Sequence, residues 1–346
     1  MKIKNQPENL LEWIALKANL APIPIVNTQV AFNAARAIMA AAELGIYEAI
    51  GKNSKTAGDV SSSCNTHPEA TKHLLDALVG IGYLQWSNGN YTLKQKFHKW
   101  LLKESESNVI GKLRFQLLEW EWMANLEEYV RTGKTLEMHG SISPGEWQLY
   151  QEGMRDLSIN LAREVAPKIP VPKGATAMLD IGGSHGLFSI ELCKKHPSLS
   201  STIMELPGAI EAASAIAKRY DTTNRVNYVA GNALIDDLGK EKYDLIMINN
   251  VVHHFTSEQN FALAKKIAAA LKPRGIYAIG EFIRQSKPGE GGVVPSTTGL
   301  YFALTSSSGT WSLEEMKAWQ KSAGLKIEKP ISPMSLPGWK ILIARK

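Results

Sequence analysis

Cysteine is scarce in this chain. Among 346 residues only Cys64 and Cys193 occur, too few for a disulfide scaffold or a four-cysteine zinc site. A reducing compartment, the cytoplasm, is the expectation that follows. Long apolar runs are also missing. The most apolar stretch, Val30 to Ile50, is interrupted by Asn33, Arg36, Glu43 and Glu48, far short of the ~18 unbroken apolar residues of a membrane span. The opening residues, Met1 to Trp13, carry acids and amides where a secretory signal needs an apolar centre. Repeats and low-complexity tracts are lacking. The net charge of +6 comes from lysines scattered among acids, with no block of one sign. That pattern describes a solvated surface; it permits a nucleic-acid partner but does not argue for one.

What is present is an ordinary globular composition, 44% hydrophobic and 21% charged. At ~150 residues per domain the length suggests about two domains. Helical spacing of small and apolar residues runs from Thr28 to Ile50 with a break at Gly45, and again over His73 to Val79. Asn88-Gly89 between two short apolar runs predicts a β-hairpin. Helices followed by a small hairpin describe a winged helix, assigned to residues 1–104. Residues 105–170 read as helical and rich in Trp, Met and Tyr.

After Pro170-Val171-Pro172 the pattern changes to strands alternating with helices. Strands are expected at 177–181, 202–206, 226–230, 243–250 and 276–283, and helices at 185–196, 208–220, 257–271 and 312–323. Two final runs, 325–331 and 339–344, lie too close for a helical crossover and should pair antiparallel. The fold class is α/β: a Rossmann-like doubly wound sheet of seven strands, the last antiparallel, behind an N-terminal helical winged-helix-like domain.

The sharpest motif is Asp180-Ile-Gly182-Gly183-Ser-His-Gly186, between the first strand of the sheet and its first helix. Such turns let backbone approach a ligand closely. A dinucleotide turn of the Gly-x-Gly-x-x-Gly type is not written here, because Ser184 and Leu187 stand where glycines would be needed. Glu205 follows 25 positions after Asp180, at the end of the second strand. A carboxylate there can accept both hydrogen bonds of a ribose diol, and Asp180 can meet an ammonium group. A nucleoside carrying an amino acid and no phosphate fits both acids, and S-adenosylmethionine is that molecule.

These motifs resemble the class I S-adenosylmethionine-dependent methyltransferases, and more narrowly the two-domain small-molecule O-methyltransferases of plants and bacteria. The resemblance covers nearly the whole chain. Ala42 to Ile50 is similar to the family's dimerisation helix, and His73 to Tyr83 with Tyr91-Thr-Leu93 to its winged-helix region. Trp147 and Gly153-Met154 resemble the segment that touches substrate, which implies Trp147, Met154 and Asn250 as acceptor contacts. Asp180, Gly182, Gly183 and Gly186, then Glu205-Leu206, then Gly231-Asn232-Ala233, match the cofactor motifs in order, with Asn249 where plant members usually have lysine. Val252-His253 matches the motif of the catalytic histidine, and Glu281 matches one carboxylate that orients it. The second such carboxylate is missing, since Thr310 stands in its place. The common His-Asp-Trp is here His253-His254-Phe255. The resemblance implies a homodimeric enzyme of secondary metabolism, dimerising through the N-terminal domain; no nucleic-acid partner and no membrane span are expected.

Methyl transfer from a sulfonium is an in-line displacement, accelerated largely by alignment. A hydroxyl acceptor also gains from losing its proton to a group of near-neutral pKa. His253 is assigned as that base, with His254 the alternative. Thr256 and Gln259 already form a capping box at the helix that follows, so the histidines are not needed as its cap. Neighbouring histidines without a third ligand do not predict a metal. The acceptor expected is a hydroxyl on an aromatic or polyketide-like small molecule. Two alternatives remain: C-methylation of a tetrapyrrole-like ring, and a rearrangement aided by the cofactor without methyl transfer.

Overall fold

The computed structural model describes residues 6–136, 138 and 142–346. The first residues of the expected N-terminal domain, including part of the Met1–Trp13 stretch, lie outside the described residues, as do 137 and 139–141 in the helical connection. The chain divides into two compact units, one reaching Leu118 and the other running from Glu119 to Lys346. The division falls later than residue 104 for a physical reason. Ile110 and Leu113, in the first turns of the helix Ile110–Met123, pack on the core of the first unit.

In the first unit, helices Ala31–Glu43, Ile46–Ile50, Ala57–Cys64 and Pro68–Ile81 surround Ile46, Tyr47, Val60, Leu75 and Leu78. Thr56 and Asp59 close a capping box on the third of these. Short strands β1 (Ser54–Lys55), β2 (Leu84–Ser87) and β3 (Asn90–Leu93) form a sheet in the order β1-β3-β2. Asn88 and Gly89, both at positive φ, make the turn between β2 and β3, with Ser87 opposite Asn90. One part of this unit buries nothing. The helix Leu10–Lys17 has no buried residue, and Leu10 and Leu11 are 70% and 78% exposed. Trp13, Ile14, Val30 and Phe32 are exposed as well.

The second unit is built on a seven-stranded sheet. Its strands are β4 (Ala177–Ile181), β5 (Ser200–Glu205), β6 (Val226–Ala230), β7 (Tyr243–Asn249), β8 (Leu271–Phe282), β9 (Lys326–Ile327) and β10 (Trp339–Arg345). They lie in the order β6-β5-β4-β7-β8-β10-β9. All neighbouring pairs from β6 to β8 are parallel, and β10 runs antiparallel to both β8 and β9. The Ile- and Leu-rich runs of β7, β8 and β10 lack alternation because helices bury both faces of the sheet. From β4 the chain winds outward through β5 and β6, then returns to the other side of β4 as β7. That reversal opens a crevice at the carboxyl ends of β4 and β7, where ligands of such sheets bind. Asp180, Glu205, Asn249 and Glu281 all lie at or next to this edge.

Two elements depart from the sequence reading. β8 begins at Leu271, because Leu271 pairs with Tyr243 across a register shift. A helix, Val293–Thr305, forms where no periodicity announced one. Its sequence contains Pro295, Gly299 and four Thr or Ser residues, all weak helix formers.

Candidate active site

The glycine-rich turn after β4 is set by backbone constraints. Gly182 has φ +63°, and its N–H donates to the Met204 carbonyl at 2.8 Å. A Cβ on Gly182 would lie 2.6 Å from Val251 Cγ2, so only glycine fits. Gly186, at φ +72°, caps the helix Leu187–Lys195. Between them Ser184 also takes positive φ and is held on three sides. Its N–H donates to Glu205 Oε2 at 3.0 Å, its hydroxyl to Gln151 Oε1, and its carbonyl accepts from the Tyr228 hydroxyl at 2.7 Å.

Beside this turn lies a cavity of about 280 Å³. Of the cofactor residues expected from the sequence, Asp180, Gly182, Gly183, Glu205, Leu206, Gly231, Asn232, Ala233 and Asn249 line it, and Gly186 does not. Trp147, Met154, Asn250 and His254 line it too. His253 and Glu281 are not part of the wall. Sequence reasoning missed Tyr150, Gln151 and His185, which are also in the wall. The first two share a helical face with Trp147 and Met154, a spacing signal that was available. His185 carried no signal beyond its place in the turn.

Two of the wall's acceptors are unsatisfied. Asp180 Oδ1 and Asn249 Oδ1 are buried without a hydrogen-bond partner, an arrangement that costs free energy unless a donor arrives. Asp180 Oδ2 accepts from the Ser189 hydroxyl at 2.7 Å, and Ser189 Oγ is in turn bonded by Ser201. Burial, reinforced by the neighbouring Glu205 carboxylate, pushes the Asp180 carboxyl up to about 7 against the pull of Ser189. Burial also raises Glu205, partly offset by the N–H groups of Leu206 and Ser184. Each Glu205 oxygen takes one of these bonds, which leaves lone pairs for a diol. Asn232 Oδ1 caps the Leu234 N–H at 3.0 Å, and Asn250 Oδ1 accepts from Trp339 Nε1 at 2.8 Å. A cavity with acids at the ends of β4 and β5 and open acceptors for an ammonium group suits an amino-acid nucleoside.

At the next strand ends, His253 Nδ1 and Glu281 Oε2 are 2.8 Å apart, with the side chains 3% and 0% exposed. The other Glu281 oxygen accepts from the Phe282 N–H at 2.9 Å. Phe302, on the helix that the sequence did not announce, stacks on the His253 ring at 4.0 Å. The rings of His253 and His254 are 4.2 Å apart. Thr256 and Gln259 form the expected capping box below them. Among the described residues no His/Cys/Asp/Glu group could hold a metal ion, and no helix is long and apolar enough to cross a membrane.

The doubly wound sheet, its glycine turn and the acid on β5 define the class I S-adenosylmethionine-dependent methyltransferases. Within that class the chain belongs to the O-methyltransferase domain family, whose model matches residues 125–325. It is a methyltransferase, and S-adenosylmethionine is its methyl donor. The chain is 24% identical over 309 residues to a mitomycin biosynthesis 6-O-methyltransferase of Streptomyces lavendulae, covering 86% of this chain and 87% of that one. An L-tyrosine C(3)-methyltransferase of the same organism is 24% identical over 328 residues, 89% and 88% of the two chains. Human N-acetylserotonin methyltransferase, solved in complex with S-adenosylmethionine, superposes with a TM-score of 0.80 at 16% identity over 99% of both chains. At that identity the likeness is one of fold.

The Asp180 carboxyl gives a test that needs no ligand. Its folded pKa, about 7, lies above the ordinary value near ~4 of an unfolded chain. The folded state therefore binds the extra proton in that window, and stability falls as pH rises from about 4 to about 7. Asp180→Asn removes this penalty. The melting temperature of the variant relative to the wild type should rise between pH 5 and pH 8. A difference that stays constant across that range would contradict the buried, protonated acid.

Proposed function

We propose that the enzyme methylates a hydroxyl group on a flat aromatic or polyketide-like small molecule, with His253 as the base. The observation that carries this reading is the buried pair of His253 and Glu281. A carboxylate only accepts hydrogen bonds, so Glu281 fixes the proton on His253 Nδ1 and leaves the Nε2 lone pair as the basic site. Phe302 holds the plane of the ring. S-adenosylmethionine supplies, when bound, an activated methyl group on a positively charged sulfur. Asp180 and Asn249 offer acceptors to its amino-acid end, Glu205 to its ribose, and Gly231, Asn232, Ala233 and Leu206 border its base. Trp147 and Met154 supply an apolar wall for a planar acceptor. His254, which lines the cavity, is the second candidate for contact with the acceptor.

A carbon acceptor is the second reading, and Thr310 is the observation that favours it. This position holds a hydroxyl where the family resemblance implies a second orienting carboxylate, and the Thr310 carbonyl accepts from Arg284 Nη1 at 2.9 Å. Kinetics separate the readings. On an oxygen acceptor found by mass-spectrometric screening of phenols, His253→Ala and His253→Gln should each lower kcat by roughly 10²–10⁴-fold. Affinity for S-adenosylhomocysteine should be unchanged. Full activity in both variants, or the same loss confined to His254→Ala, would refute the assignment.

The assembly we propose is a homodimer through the N-terminal unit, inside the cytoplasm. Its support is the run of exposed apolar side chains Leu10, Leu11, Trp13, Ile14, Val30 and Phe32, since such patches mark interfaces. Light scattering should give the mass of two chains at micromolar concentration. A single-chain mass there, or a dimer that persists unchanged in Leu11→Glu/Trp13→Glu, would rule this interface out.

A further inference from the structure

The helix Pro144–Val165 carries Trp147, Tyr150, Gln151, Met154 and Ser158 into the cavity wall at positions i, i+3, i+4, i+7 and i+11, one continuous face. Two consecutive residues of the glycine-rich turn grip that face. The Ser184 hydroxyl donates to Gln151 Oε1. The His185 ring faces the Met154 backbone, and its Nδ1 accepts from the Leu187 N–H at 3.2 Å. With Nδ1 accepting, the ring must be the neutral tautomer that donates from Nε2. Its surroundings keep it so: His185 is 4% exposed, and burial with Arg155 nearby pushes its pKa down to about 4. The ring therefore does not titrate near neutral pH and acts as a fixed cross-link. The same turn holds Glu205 through the Ser184 N–H and β6 through the Tyr228 hydroxyl.

Resting on the assignment of the cavity to S-adenosylmethionine, we propose that Gln151 and His185 are positioning residues that couple the cofactor turn to the acceptor wall. The turn and the helix face that presents Trp147 and Met154 are one hydrogen-bonded body. A ligand that orders the turn thereby orders the wall, because a site already fixed by one ligand needs less ordering for the next. Cofactor and acceptor therefore bind with positive cooperativity, each strengthening the other by the same factor. Neither residue takes part in the chemistry. A purely packing role for His185 would leave this coupling intact when the ring is replaced by an apolar side chain of similar size.

Hydrogen exchange with S-adenosylhomocysteine as the probe tests the coupling without an acceptor and without turnover. In the wild type, the probe should slow exchange in the glycine turn and across residues 147–158. In Gln151→Leu/His185→Leu the turn should still be protected, while the helix should lose roughly tenfold of its added protection, the equivalent of one hydrogen bond at the strong end of the usual range. His185→Gln keeps a donor at the position of Nε2 and should restore most of the effect on the Gln151 background of the wild type. Each single variant repeats the test should the double variant not fold. Equal helix protection in wild type and variants, or failure of His185→Gln to differ from His185→Leu, would overturn the coupling while leaving the cofactor site standing. Failure of the wild type to bind the probe in calorimetry would instead overturn the site assignment, and the coupling with it.

Discussion

Two carboxylates buried side by side at the ends of adjacent parallel strands govern this active site. Asp180 and Glu205 are 1% and 9% exposed; burial raises both, and the Glu205 carboxylate adds to the cost of ionising Asp180. Glu205 spreads its charge over two backbone N–H groups. Asp180 has one hydroxyl and one bare oxygen. A cationic amino-acid nucleoside brings the donors that both lack. The acceptors of this pocket are therefore directed at one class of ligand, and burial strengthens each bond that forms there.

The rest of the sheet edge repeats this economy with different chemistry. One strand further on, Asn249 presents a second bare acceptor, and a Cβ on Gly280 would collide with it and with the Trp339 ring. Glycine at that point in β8 is what lets Asn249 turn inward. Another strand end contributes Glu281, whose two oxygens are both satisfied, one by its neighbour's N–H and one by His253. Asp180 and Asn249 are left wanting donors, whereas the Glu281 carboxylate is complete. In the reading we propose, cofactor binding and proton transfer rest on separate, adjacent strand ends.

Much of this was legible in the sequence where local chemistry decides the outcome. Asn88-Gly89 fixed its hairpin, Thr256 and Gln259 their cap, and the Ile-rich runs their strands, all within a few residues. The pairing of His253 with Glu281 was expected from the family resemblance, and strand order agreed with it, because both leave neighbouring strands at the same edge. What escaped was non-local. The helix Val293–Thr305 is held by tertiary packing against weak propensity, so Phe302 could not be placed over His253. His185 occupies a position whose partner, Met154, lies on a separate helix. That His254 lines the cavity and His253 does not depends on side-chain placement that no spacing encodes.

The central claim is that the acid on β5 reads the ribose of an amino-acid nucleoside. Isothermal titration of S-adenosylhomocysteine into the wild type and into Glu205→Ala addresses it most directly, with NADH as the competing ligand. The wild type should bind S-adenosylhomocysteine and ignore NADH, and the variant should lose about 1.5–3 kcal/mol, roughly ten- to a hundredfold in Kd. Equal affinity in the two proteins, or tighter binding of NADH, would contradict the account.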